Sequence, residues 1–167
     1  PQDLYRVKVF SSMWSLPNRS SANLTKLEDR LDWSIQFYHD QIDQRHWYGF
    51  WNYGDVMHTY DPDRHVWRYD KGGFAWDNSE LSTDMWLWYT FLRSGNFKAF
   101  RLAEAMNRHN RDVDIYHLGR FAGFGTRHNV QHWGCSAKQL RVSTCMNRRF
   151  HYYLTTDERT GDVLQEV

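Results

Sequence analysis

The chain is predicted to be all-α, with antiparallel helix hairpins forming part of an (α/α) toroid. Three observations predict it. Segments of helical period recur along the sequence, whereas strand signals are sparse. A helix–Ser/Thr-Gly-Asn/Asp–helix pattern occurs twice, in Trp88–Ala99 (WYTFLRSGNFKA) and Tyr152–Leu164 (YYLTTDERTGDVL). Connections are also unequal in length, as expected where long loops crown one end of a ring of helix pairs.

The elements follow in order. Residues 1–23 read as a linker or trailing strand segment, with Leu4–Phe10 (LYRVKVF) the one alternating stretch. The partial toroid domain is placed at 24–167. Leu24–Ile42 carries Leu27, Leu31, Ile35 and Tyr38 on one helical face. Glu80–Leu92 is a dense apolar helix closed by Arg93-Ser94-Gly95-Asn96, whose glycine suits a helix C-terminus. Phe97–Arg111 is the next helix, with Phe100, Ala103 and Met106 or Asn107 along one side. A Gly-rich loop spans Leu118–Arg127. A further helix, continuous or with a break, is expected from near Asn129 to Leu154, and Thr160-Gly161-Asp162 turns into a last short one. Cys135 and Cys145, ten residues apart in that expected helix, would be roughly 15 Å apart and unbridged.

Composition narrows the function. The 167 residues carry net charge +1 with acids and bases interspersed, and are 17% aromatic. Mean hydropathy is −0.81, so apolar volume comes largely from amphipathic rings. Nothing suggests a nucleic-acid groove, and no apolar run is long enough for a membrane span. No signal peptide precedes Pro1, which reads as a processed or trimmed start. The sequons Asn18-Arg19-Ser20 and Asn23-Leu24-Thr25 would matter in a secreted or extracellular protein, the location expected here.

The most distinctive stretch is Trp47–Trp76 (WYGFWNYGDVMHTYDPDRHVWRYDKGGFAW), where aromatic rings alternate with His, Asp, Arg, Asn and Gly. It reads as the wall of a carbohydrate cleft, because sugars present apolar C–H faces to rings and hydroxyls to short polar groups. Trp51, Tyr53, Trp67 and Trp76 are the expected stacking rings, and His58, Arg64, His65 and Asn78 the polar contacts. A structural aromatic cluster with a solvated rim is the alternative. The second cluster runs from Tyr116-His117-Leu118-Gly119 to Gly123–Gly134 (GFGTRHNVQHWG). His128 and His132, four apart, would share a helix face, yet no third metal ligand is specified by spacing. No metal and no cofactor is expected.

Four strings carry a resemblance: Tyr48–Asp70, Gly72–Leu81, Leu102–Gly119 (LAEAMNRHNRDVDIYHLG) and Gly125–Cys135 (GTRHNVQHWGC). From about Trp47 to Asp162 the chain resembles the central helical domain of the exo-rhamnogalacturonan lyase family. The resemblance implies an α/α toroid, normally flanked by β-sandwich domains, that cleaves rhamnogalacturonan by β-elimination. It also implies a fragment, with other domains or chains needed to complete the ring. The partner would be a uronate-containing polysaccharide or oligosaccharide.

Such an elimination removes the weakly acidic C5 proton of a uronate. It needs a donor set on the carboxylate, a base at C5 and an acid for the oxygen leaving C4. Arg127 with Asn129 is the expected carboxylate fork, His128 or His132 the base, and Tyr116 or His117 the acid. Three other readings stand beside this one. A toroid glycoside hydrolase would draw on Asp55, Asp61, Asp77 and Glu80. The others are a non-catalytic carbohydrate-binding segment and a zinc hydrolase.

Overall fold

The computed structural model describes residues 1–10, 14–48, 54–69, 76–77, 79–126, 138–140 and 145–167. Helices dominate: α1 (Gln2–Val7), α2 (Ala22–Arg45), α3 (Thr83–Ser94), α4 (Phe97–Asp112), α5 (Cys145–Thr155) and α6 (Glu158–Glu166). Two strand pairs are short and antiparallel, β1 (Tyr60–Asp61) with β2 (Val66–Trp67) and β3 (Gly125–Thr126) with β4 (Lys138–Gln139).

Helix starts are encoded locally. Ser21 Oγ accepts the Leu24 N–H at the head of α2, Asn96 Oδ1 takes those of Lys98 and Ala99, and Asp157 Oδ1 takes that of Thr160. Each side chain satisfies an amide that the first turn leaves without a carbonyl. Gly95, at φ 73°, ends α3 in the left-handed region and returns its N–H to Phe91 O at 2.7 Å. Only Gly95 and Asn96 separate α3 from α4, so α4 folds straight back and the two pack more extensively than any other pair. α5 and α6 form the second such pair across Thr156 and Asp157. This is the hairpin architecture of an α/α toroid.

The core lies between these hairpins. Trp88, Phe150, Leu92, Ala99, Ala103 and Met106 are fully excluded from solvent. Phe150 stacks on Phe10 (5.4 Å between centroids, 13°) and, on its other side, on Trp88 (6.4 Å, 13°). α2 is fastened to α3 by a bidentate pair, Arg93 Nη1 and Nη2 each 2.7 Å from a Glu28 oxygen. Those bonds from Arg93 hold the Glu28 carboxyl down to about 2, against its burial.

Several expectations are corrected. Leu4–Phe10 is not a strand, because Gln2–Val7 forms α1, packed on α3. Of the two forms expected for the helix from Asn129 to Leu154 the continuous one does not hold, since Lys138–Gln139 is a strand and α5 starts at Cys145. Cys135 lies outside the described residues. Gly161 lies inside α6, and the turn before that helix is Thr156-Asp157. Asp157 supplies the cap there, three residues before the turn expected at Thr160. No helix of the described residues is long and apolar enough to cross a membrane.

Candidate functional site

A cleft of about 620 Å³ opens between the end of α2, the outward face of α4 and the α5–α6 turn. That size is within the usual range for small-ligand sites. α2 contributes His39 and Asp43, followed by Trp47 and Tyr48; α4 contributes Arg101, Glu104, Arg108 and Arg111; α5 contributes His151 and the turn Asp157. The spacing on α4 places these side chains on one helical stripe. Gly54 closes one wall. A Cβ there would lie 2.2 Å from Ala105 O, and its φ is +84°, so only glycine lets the chain lie against α4.

The cleft floor is a hydrogen-bonded cluster. Arg111 donates Nε–H and Nη2–H to Asp112, both at 2.9 Å, and Nη1–H to Asp157 Oδ1 at 2.6 Å. Thr160 Oγ1, fully buried, meets Arg111 Nη1 at 3.1 Å, Asn107 Nδ2 at 3.4 Å and His151 Nδ1 at 3.0 Å. Arg111 is thus spoken for. Arg101 and Arg108 are not held so closely, with side chains 64% and 71% exposed and carboxylates no nearer than 3.6 and 3.9 Å.

Another side of α4 carries ions inward. His109 Nε2 lies 3.4 Å from Asp55 Oδ2 and 3.6 Å from Asp114 Oδ2, all three side chains being essentially inaccessible. Burial opposes protonation of this imidazole, but the two carboxylates outweigh it and raise its pKa to about 10. Asp84, which accepts from Asn147 Nδ2 (2.7 Å) and Asn110 Nδ2 (3.4 Å), is pushed up to about 6 by burial. Asp77 is raised further, to about 7, by burial with Asp55 adding to it, despite the Thr83 hydroxyl donated at 2.7 Å.

The sequence-predicted residues that the structure describes lie elsewhere. Trp51, Tyr53, Asn78, Arg127, His128, Asn129 and His132 lie outside the described residues. Trp67 and Trp76 are not open stacking rings, being only 6% and 7% exposed. The β1–β2 hairpin folds over the end of α2, and Trp47 wedges edge-on between them, 5.1 Å from Trp67 and 5.8 Å from Trp76. Their polar handles are used internally too, Trp67 Nε1–H going to Gln41 Oε1 (2.9 Å) and Trp47 Nε1–H to Tyr69 OH (2.8 Å). His58, Arg64 and His65 are exposed on or beside that hairpin, His58 Nδ1 lying 2.8 Å from Thr59 Oγ1 and His65 Nδ1 3.4 Å from Tyr60 OH. Arg64 donates its backbone N–H to Asp61 Oδ1 at 3.1 Å.

Tyr116 is half-buried beneath Lys138, whose Nζ is 5.5 Å from its ring centroid. His117 faces α6, with Nδ1 3.3 Å from Arg159 Nη2 and 3.6 Å from Glu166 Oε2. None of the seven described candidates lines the cleft. Of the four hydrolase carboxylates, Asp55 and Asp77 are buried, Asp61 faces Arg64 and Arg68, and none lines it either. Among the described residues no group of three His, Cys, Asp or Glu is placed to hold a metal ion.

Sequence reasoning missed Arg101, Arg108, His151 and the His109 cluster. One signal was present. The run Asn107-Arg108-His109-Asn110-Arg111-Asp112 ends a packed helix without a single apolar residue. Such a run must either be solvated all round or carry a paired polar network inward.

Comparison with known proteins bears on the whole chain. The sequence model of the PcRGLX-like protein C-terminal alpha/alpha toroid domain matches residues 1–167. The protein designated "Uncharacterized protein YetA" of Bacillus subtilis (strain 168) is 53% identical over 165 residues. That alignment covers 99% of this chain and 19% of the relative, so the chain spans about a fifth of that protein's length.

Proposed function

The chain belongs to the family of PcRGLX-like C-terminal alpha/alpha toroid domains, and on that premise we propose that it is the toroid portion of a polysaccharide lyase. The substrate is rhamnogalacturonan or a related uronate-containing polysaccharide, cleaved by β-elimination. Arg127 with Asn129 neutralises the uronate carboxylate, His128 or His132 takes the C5 proton, and Tyr116 or His117 protonates the departing C4 oxygen.

One observation carries the reading. The backbone of 114–116 is laddered to that of 124–126: Tyr116 N–H donates to Phe124 O at 2.9 Å, Thr126 N–H to Asp114 O at 2.8 Å, and Ile115 bridges Gly125. Arg127 and His128 are the next two residues in the sequence. Tyr116 therefore ends one laddered strand, opposite Phe124, and the proposed carboxylate fork and base follow the other strand in sequence after Thr126, which pairs with Asp114. His117 is drawn toward Arg159 and Glu166 instead, which favours Tyr116 as the acid.

The full-length protein incubated with rhamnogalacturonan is expected to release products with the near-ultraviolet absorbance of an unsaturated uronate. Saturated products would establish a hydrolase in its place, and no products would leave a binding domain. Replacing Arg127 by Lys is expected to slow turnover although charge is kept, since an ammonium lacks the planar fork.

A further inference from the structure

We propose that the cleft between α2, α4 and α5 is a second ligand site, which takes a carboxylate-bearing sugar, and that His151 serves in it as a fixed Nε2–H donor. Hydrogen-bond accounting around Thr160 leads there. Its hydroxyl is fully buried, so bulk water does not complete its bonding. A guanidinium can only donate, and Arg111 Nη1 lies 3.1 Å from Thr160 Oγ1; the Asn107 amide nitrogen donates from 3.4 Å. Those two donors occupy the lone pairs of the hydroxyl. His151 Nδ1, at 3.0 Å the nearest of the three nitrogens, is then left to accept the hydroxyl proton.

Asp157 is the competing acceptor for that proton. Its Oδ1 already takes Arg111 Nη1–H at 2.6 Å and the Thr160 backbone N–H at 2.7 Å. A hydroxyl turned to Asp157 would leave His151 Nδ1 as a third donor on Thr160 Oγ1, whose two lone pairs Arg111 and Asn107 already use. With Nδ1 accepting, the proton of the neutral imidazole sits on Nε2, the ring nitrogen left for the cleft. Burial favours the neutral ring by lowering its pKa; Asp157 opposes that, Arg111 reinforces it and Glu104 opposes it.

Around this donor the cleft offers Arg101 and Arg108, both free to turn, and the half-exposed ring of Tyr48. An N–H donor, two loosely held guanidinium groups and a ring face suit a carboxylate carried on a sugar. Asp43 and Glu104 on the same walls are acceptors for its hydroxyls. The choice of a uronate as ligand rests on the lyase reading; the tautomer does not.

Long-range proton–nitrogen correlation spectra of the chain, with galacturonate as probe and galactose as the neutral control, test both parts. The expected result is a bare Nδ1 and a protonated Nε2 at neutral pH, with the Nε2 resonance shifted by galacturonate and not by galactose. H151Q, whose amide nitrogen occupies the place of Nε2, is expected to bind galacturonate within about threefold of the parent, and H151L about tenfold more weakly. Far-ultraviolet circular dichroism establishes that each variant is folded. An Nδ1–H tautomer or an imidazolium at neutral pH overturns the assignment, as does an Nε2 signal indifferent to galacturonate. Failure of the lyase reading shows separately, as missing unsaturated products with this site intact.

Discussion

The aromatic stretch that begins at Trp47 and the polar run that ends α4 exchange the roles their compositions suggest. Aromatic density reads as an open sugar wall, yet Trp47, Trp67 and Trp76 are buried against one another and against α2. The α4 run reads as an ordinary helix end, yet it carries a cleft stripe on one side and a buried ion cluster on another. Trp47 and Trp67 satisfy their N–H groups within the protein and need no ligand. Charges forced into a packed helix need partners, and those partners shape a site.

If that contrast is right, the aromatic stretch is mainly structural. Trp47→Ala should then destabilise the fold by about 4 kcal/mol, as large-to-small core changes do. Urea unfolding followed by circular dichroism measures it. A loss within experimental error would restore the open-wall reading, because an exposed stacking ring adds little to stability.

His109 tests the buried side of α4. Replacing it by Leu strands Asp55 and Asp114 without their shared cation, and removing one partner of a buried ion cluster costs about 3 kcal/mol or more. The wild-type protein should also show the cluster as a pH dependence. The folded pKa of about 10 lies above the ordinary 6.5, so the stabilisation is complete below about 6.5 and lost as pH rises through 10. Urea midpoints across alkaline pH should fall for the parent and stay flatter for H109L.

Much of the helical frame was legible in the sequence. α2, α3 and α4 stand within a few residues of the periodic segments, and Gly95 closes α3 where its sequence context placed it. The misses have physical causes. Leu4–Phe10 alternates over too few residues to separate a strand from a helix that packs on α3. What interrupts the helix expected after Asn129 is the β3–β4 pairing, a tertiary contact that no local period records. The cleft was invisible for a related reason. Its lining comes from α2, α4, α5 and Asp157, which only tertiary packing brings together.

Asp77 lies where the aromatic stretch ends, and separates the two regions by the opposite sign. Its folded pKa, about 7, exceeds its ordinary value, so the folded form holds a proton that the unfolded form has released. Its contribution is greatest below about pH 4 and declines as pH rises to 7, at up to about 1.4 kcal/mol per pH unit. D77N keeps an acceptor for the Thr83 hydroxyl and carries no charge to bury. It should therefore be more stable than the parent by about 2 kcal/mol above neutrality, with a flatter acid-to-neutral profile. A parent profile that rises from pH 4 to 7 would show Asp77 ionised and paired instead.

Arg108 should give the smallest stability effect and the clearest division between framework and site. Its side chain is 71% exposed and its nearest carboxylate, on Asp112, is 3.9 Å away, which is a surface pair of little energetic weight. R108A should shift the urea midpoint by no more than about 0.5 kcal/mol equivalent. If the α4 stripe serves the cleft, the same variant should weaken galacturonate binding several-fold and leave galactose, which has no carboxylate to lose, unchanged. R108K should restore only part of that binding, because a point charge replaces a planar fork. A variant that unfolds readily but binds normally would reverse the assignment, making the stripe framework and returning the search for the sugar site to the aromatic stretch.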